Sequence, residues 1–61
     1  SPVAKARVVS KLSQAQFAAL MGVSVRALQE WEQGRREPSG AAKTLLRVVQ
    51  SHPDVLRELA A

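Results

Sequence analysis

The segment Ser13–Gly34, SQAQFAALMGVSVRALQEWEQG, divides itself into two short helices hinged at Gly22. Ser13 is a good N-cap because its hydroxyl can accept from an orphan amide of the first turn. Gln16, three residues on, can reach back to the Ser13 amide, which is capping-box spacing. Leu12 and Phe17 flank the cap at the spacing of a hydrophobic staple, which would fix how the chain enters the helix. The inward stripe is Gln14, Phe17, Ala18 and Met21, and the small Ala18 leaves room for a second helix to approach closely. Gly22 tolerates the left-handed conformation that ends a helix and turns the chain. Ser24 then caps a second helix, with Val23 and Leu28 as another staple. Leu28 and Trp31 form its inward side and Gly34 ends it, which leaves Val25, Arg26, Gln29, Glu30 and Gln33 facing away from the core.

The flanking sequence is also helical. A first helix is expected from about Pro2 to Ser10, with Val3, Ala6, Val9 and Ala4 inward and Lys5 and Lys11 outward. After a loop punctuated by Gly34 and Pro38, a fourth helix is expected over about Ser39–Gln50. Its apolar set, Ala42, Leu45, Leu46, Val48 and Val49, is wider than one stripe and predicts a central place in the core. A short fifth helix would begin at Ser51, His52, Pro53, Asp54, with Ser51 and Asp54 at capping-box spacing and Val55, Leu56 and Leu59 apolar. No strand pattern is present, so the expected class is all-α, as one domain over 1–61 with its paired helices at about 13–34.

Composition narrows what such a domain can do. Sixty-one residues bury a limited core, so stability should be modest unless self-association adds to it. The absence of cysteine excludes disulfides and thiolate metal sites, and the single histidine, His52, cannot build a zinc site alone. No cofactor is expected. No apolar run approaches the roughly 20 residues of a membrane span, and the start of the chain lacks a signal-peptide core, so the expected location is the bacterial cytoplasm. A formal charge of +4 and a pI near 10.8 favour a polyanionic partner. An enzyme is not expected: no nucleophile lies beside a base, no glycine-rich phosphate loop is present, and Glu30, Glu32 and Glu37 surround an exposed helix end.

Taken together, Gln14, Ala18, Gly22, Val23, Leu28, Trp31 and the Glu32–Gly34 end resemble the Xre or Cro-type helix-turn-helix family of transcriptional regulators. The string WEQGRREPSGAAKTLLRVV, Trp31–Val49, more narrowly resembles the DNA-binding half of HigA- or MqsA-type antitoxins. The resemblance runs from about Val3 to Leu59 and implies a compact five-helix domain like that of the lambda repressor. It also implies that Arg7 pairs with Glu32 as a brace, and that Gln14 belongs to a clamp on the DNA backbone. If it extends to function, the protein represses its own operon, neutralises a RelE-like toxin, and is represented here by its DNA-binding part, to which a start at Ser1-Pro2 is suited.

A reader of this kind places its second helix in the major groove, where base edges carry a donor and acceptor code. Val25 and Arg26, near the helix start, are the leading base contacts, followed by Gln29, Glu30 and Gln33. Arg26 can grip guanine O6 and N7, Gln29 can pair with adenine or a phosphate, and Val25 can pack on a thymine methyl. Arg26 and Glu30 also have the spacing of an ordinary exposed ion pair, although with the cation first, the less favourable order. Phosphate contacts are expected from Gln14, Ser24, Arg35, Arg36, Ser39 and Lys43, which lie at helix N-termini or just beyond the reading helix. The alternative for Arg35, Arg36 and Lys43 is a solvated loop. Trp31 is read as core, and His52 as a neighbour of a helix cap.

One reading helix covers few base pairs, so the expected partner is a palindromic double-stranded operator bound by a homodimer. The competing function is a protein-interaction module that keeps the helical fold without binding DNA, docking through Leu20 and the apolar residues of helices four and five. Arg26, Gln29 and Gln33 on the outer face favour DNA, and Glu30 is the dissenting charge.

Overall fold

The computed structural model describes residues 1–60, which form α1 (Pro2–Val9), α2 (Gln14–Met21), α3 (Val25–Glu32), α4 (Gly40–Ser51) and α5 (Pro53–Ala60). No strand occurs among the described residues, and the class is all-α with a helix-turn-helix, as expected.

Local chemistry explains most boundaries. At α2 both capping-box bonds are made: the Gln16 amide donates to Ser13 Oγ at 3.1 Å and the Ser13 amide to Gln16 Oε1 at 3.0 Å. The helix closes on Gly22 at φ 72°, with the Val23 amide on the Ala18 carbonyl and the Gly22 amide on the Ala19 carbonyl, a Schellman motif. The same device ends α3: Gly34 has φ 77°, Arg35 N–H donates to the Glu30 carbonyl and Gly34 N–H to that of Trp31. Ser24 and Ser39 accept from the Ala27 and Ala42 amides and start α3 and α4.

Three expectations are corrected. Val9 does not face inward; it is 50 % exposed, and Ser10, the C-cap of α1, is fully buried in its place. The inward stripe runs Val3, Ala6, Ser10, so the phase of the helix turns Val9 outward, and Ser10 Oγ donates to the Ala6 carbonyl at 2.8 Å and is satisfied. In α4 only Leu46 and Val49 are buried, with Ala42 packed against the core, whereas Leu45 and Val48 lie outside it. One stripe, not the whole apolar set, meets the other helices. Finally, Ser51 does not cap α5. It is the last residue of α4, the turn is made at His52, whose N–H donates to the Val48 carbonyl, and Pro53 takes the first turn of α5 as expected.

The buried set comprises Val3, Ala6, Leu12, Phe17, Ala18, Leu28, Trp31, Leu46, Val49 and Leu56, drawn from all five helices and from Leu12 before the α2 cap. Phe17 and Leu28 have no exposed surface, and burial of such a side chain contributes about 1.5–3 kcal/mol. Packing of α2 against both α3 and α5, and of α1 against α3 and α4, holds α3 by its inner side and leaves its outer side in solvent.

Candidate nucleic-acid interface

The outer side of α3 follows from its inner side. Leu28 and Trp31 are buried, so residues at the complementary phases must face out: Val25, Arg26, Gln29 and Gln33 are exposed and Glu30 is half-buried. Arg26, Gln29, Glu30, Gln33 and Arg35 line one open, largely polar concavity. Five residues selected from sequence as base-reading or phosphate-binding are thus brought to one place, and Val25 stands outside it as the first residue of α3.

The exposed ion pair considered for Arg26 is present, since its Nε lies 3.7 Å from Glu30 Oε1 while 90 % of its side chain remains exposed. Arg36 approaches the other Glu30 oxygen at 4.0 Å. Glu30 therefore stands between two arginines, both of which keep most of their surface free; in such surroundings each pair contributes about 0–1 kcal/mol. The arginines are loosely steered by Glu30 and are not consumed by it.

The second group lies around the start of α4. Ser39 spends its hydroxyl as an N-cap acceptor, and Lys43 Nζ pairs with Glu37 Oε2 at 3.0 Å. Lys43 and Arg36 also border an apolar groove floored by Val3, Trp31, Pro38 and Leu46. Trp31 is 8 % exposed and belongs to the core, as read from its spacing.

Beneath the reading surface is the brace. Arg7 Nε donates to Glu32 Oε2 at 2.7 Å and its Nη2 to Oε1 at 3.2 Å, a two-bond pairing of guanidinium and carboxylate. Arg7 Nη1 also holds the Leu12 carbonyl at 3.2 Å, so one side chain ties α1, the entry to α2 and the end of α3. Hydrogen bonds from Arg7 hold the Glu32 carboxyl below its ordinary pKa; desolvation opposes this, and a bond from Gln14 lowers it further. Its partner Arg7 is raised, chiefly by the hydrogen bonds to Glu32.

Sequence reasoning missed what Gln14 does. Its Nε2 donates to Glu32 Oε1 at 3.2 Å, and its Oε1 accepts from Gln29 Nε2 at 3.3 Å. Gln14 therefore connects the brace to the outer face of α3. No local spacing signals this, because the link depends on how α2 crosses α3. Among the described residues no cluster of histidine, cysteine and carboxylate side chains is suited to a metal ion, and no helix is long and apolar enough to cross a membrane.

Comparison with known proteins agrees with this architecture. The family model described as Helix-turn-helix matches residues 3–42. Antitoxin HigA-2 of Vibrio cholerae is 49 % identical over 49 residues, covering 80 % of this chain and 47 % of the relative. The helix-turn-helix transcriptional regulator YiaG of Escherichia coli K12 is 42 % identical over 43 residues, 70 % of this chain and 45 % of its own length. Antitoxin MqsA of the same strain is 32 % identical over 57 residues, 93 % of this chain and 44 % of its own. The chain thus spans a little under half the length of these relatives. No solved structure matches it significantly. With the family model covering α1 to the start of α4, and α2, the Gly22 turn and α3 in their expected places, the chain belongs to the helix-turn-helix family of Xre type.

Proposed function

We propose that this chain is a sequence-specific reader of double-stranded DNA and the DNA-binding part of a repressor. The observation that carries the reading is the outer face of α3: Arg26, Gln29 and Gln33 stand exposed around one concavity, on a helix fastened at both ends by a serine cap and a glycine turn. In the major groove Arg26 reads guanine, Gln29 reads adenine, Val25 packs on a thymine methyl, and Glu30 and Gln33 reach bases further along. Arg35, Arg36 and Lys43, with Gln14, Ser24 and Ser39 at helix starts, contact phosphates and supply most of the affinity.

Each copy reads a half-site, and a homodimer reads two such sites about one helical turn apart. Similarity to HigA-2 and MqsA supports a finer reading, in which the whole protein is an antitoxin that represses its own operon and takes a RelE-like toxin as partner. Such a protein is not an enzyme and works in the bacterial cytoplasm.

Selection of binders from a random duplex pool at near-physiological salt tests the proposal. Enrichment of a two-fold symmetric motif, bound far more tightly than scrambled DNA, is the expected result. Absence of any enriched motif, with weak binding that salt abolishes, would overturn it in favour of a protein-docking module.

A further inference from the structure

A groove of about 360 Å³ lies among the start of α1, the α3–α4 loop and α4, on a floor of Val3, Trp31, Pro38 and Leu46. Its rim is basic. Arg36 from the loop and Lys43 and Arg47, one turn apart on α4, border it against the single carboxylate of Glu37. None of the three cations is fully committed: Arg36 reaches Glu30 only at 4.0 Å, the Lys43–Glu37 pair is exposed on both sides and therefore weak, and Arg47 has no ion-pair partner among the described residues. The floor also holds an unspent donor. Trp31 is 8 % exposed, and its indole N–H makes no hydrogen bond among the described residues without being sealed from solvent.

These features specify the occupant. A volume near the lower end of small-ligand sites, about 300–1,000 Å³, suits a body of one or two fused rings; the apolar floor offers nothing to a compact, heavily hydrated ion, and three cations against one carboxylate favour a negative group. We infer that this groove binds a small amphipathic anion, a flat apolar body carrying one carboxylate, and that its occupation releases DNA. The release rests on the proposed phosphate contacts of Arg36 and Lys43, for which the ligand and the DNA backbone compete. Linkage makes the effect reciprocal, so DNA also expels the ligand.

Two carboxylates, 2-naphthoate and indole-3-acetate, and their neutral amides test the site by titration into the isotope-labelled chain, followed by amide chemical shifts. Trp31 is the one tryptophan, so its indole N–H gives an isolated signal from the floor. Saturable shifts are expected there and at Gly34, Leu46 and Arg47, with each amide bound at least about tenfold more weakly than its carboxylate. Arg47→Gln, at an exposed position outside the proposed DNA contacts, should weaken both carboxylates by about threefold while the protein stays folded and selects the same DNA sequence. With the duplex selected from the random pool, a carboxylate at about ten times its dissociation constant should lower DNA affinity by about tenfold. Sodium acetate at the same concentration, which matches the ionic strength, should not.

Absence of saturable shifts, shifts scattered over lysines and arginines elsewhere, or equal binding of acid and amide would overturn the site and leave DNA reading intact. So would movement of the same signals with protein concentration alone, or with the peptide acetyl-Asp-Leu-Phe-Asp-amide but neither carboxylate, since the groove would then belong to a second copy or to a protein partner. Groove binding that leaves DNA affinity untouched would overturn the release of DNA. Failure of the unaltered chain to select any sequence would remove the DNA-reading proposal and the release with it, while the ligand titration still decides the site.

Discussion

The α2–α3 pair and the α4–α5 pair are built from similarly apolar sequence and put it to different ends. In α2 and α3 the large apolar side chains go inward with the exception of Val25: Phe17 and Leu28 are wholly buried, Trp31 nearly so, and Leu20 and Met21 pack against them. In α4 and α5 more than half of them remain outside, with Leu45 36 %, Val48 44 %, Val55 42 % and Leu59 66 % exposed. The first pair is fastened by three or four residues at each turn, and those fastenings choose which side faces in. In the second pair Ser39 caps the start of α4, but the turn at His52 has no left-handed glycine, and a chain of this size has a single stripe of each helix to bury. Apolar character therefore marks the core more reliably where caps and glycine turns together set the phase than where a cap stands alone.

The sharpest way to break this contrast is to remove the side chain on which α2 rests. Phe17→Ala should cost about 3–5 kcal/mol, comparable to the whole stability of a domain this small, so the helical circular dichroism signal is expected to be largely lost at 25 °C. A cooperative transition retained near the original midpoint would mean that the α2–α3 core is no tighter than the α4–α5 face.

Next in size is the brace. Glu32→Gln retains the shape but loses the charge that receives both Arg7 and Gln14, and it should cost about 2–3 kcal/mol at neutral pH. The sign of its pH dependence follows from the depressed Glu32 pKa. Stabilisation by the carboxylate is complete above its unfolded value of about 4.3 and is lost as pH falls through the lower folded value. The gap between the two proteins, followed by urea denaturation across pH, should be widest near pH 7 and shrink in acid. A gap that stays constant as pH falls would show that the pair contributes through packing alone.

The part of the molecule visible in its sequence is the part decided locally. Ser13 with Gln16, Gly22, Ser24, Gly34 and Ser39 each act within a few residues of themselves, and all were placed correctly. Val9, Leu45, Val48 and Ser51 were not, because the choice between two adjacent apolar residues, or between ending one helix and starting the next, is settled by partners elsewhere in the chain. The site divides the same way. Exposure of Arg26, Gln29 and Gln33 follows from the phase of α3, whereas the bond between Gln14 and Gln29 requires the crossing of two helices. Gly22 isolates the local contribution. A methyl added there meets no atom within 4 Å, so Gly22→Ala tests the left-handed backbone alone and should cost about 1–2 kcal/mol. No loss of thermal stability would mean that the turn is held by its neighbours and that the glycine was legible for the wrong reason.

The smallest effect belongs to the other side of the comparison. Leu59 is the most exposed of the large apolar residues named above, and Leu59→Ser removes apolar surface that mostly remains in water. Serine gives up a little helix propensity relative to leucine but places a soluble group in solvent, so the change in urea midpoint should correspond to no more than about 0.5 kcal/mol. The measurement belongs at low micromolar protein, where mass action least favours association, because a partner covering α5 would add its own contribution at higher concentration. A loss well above that size in dilute solution would place Leu59 inside the packed core. The two helix pairs would then differ in how their burial is encoded, and no longer in how much of their apolar surface the fold buries.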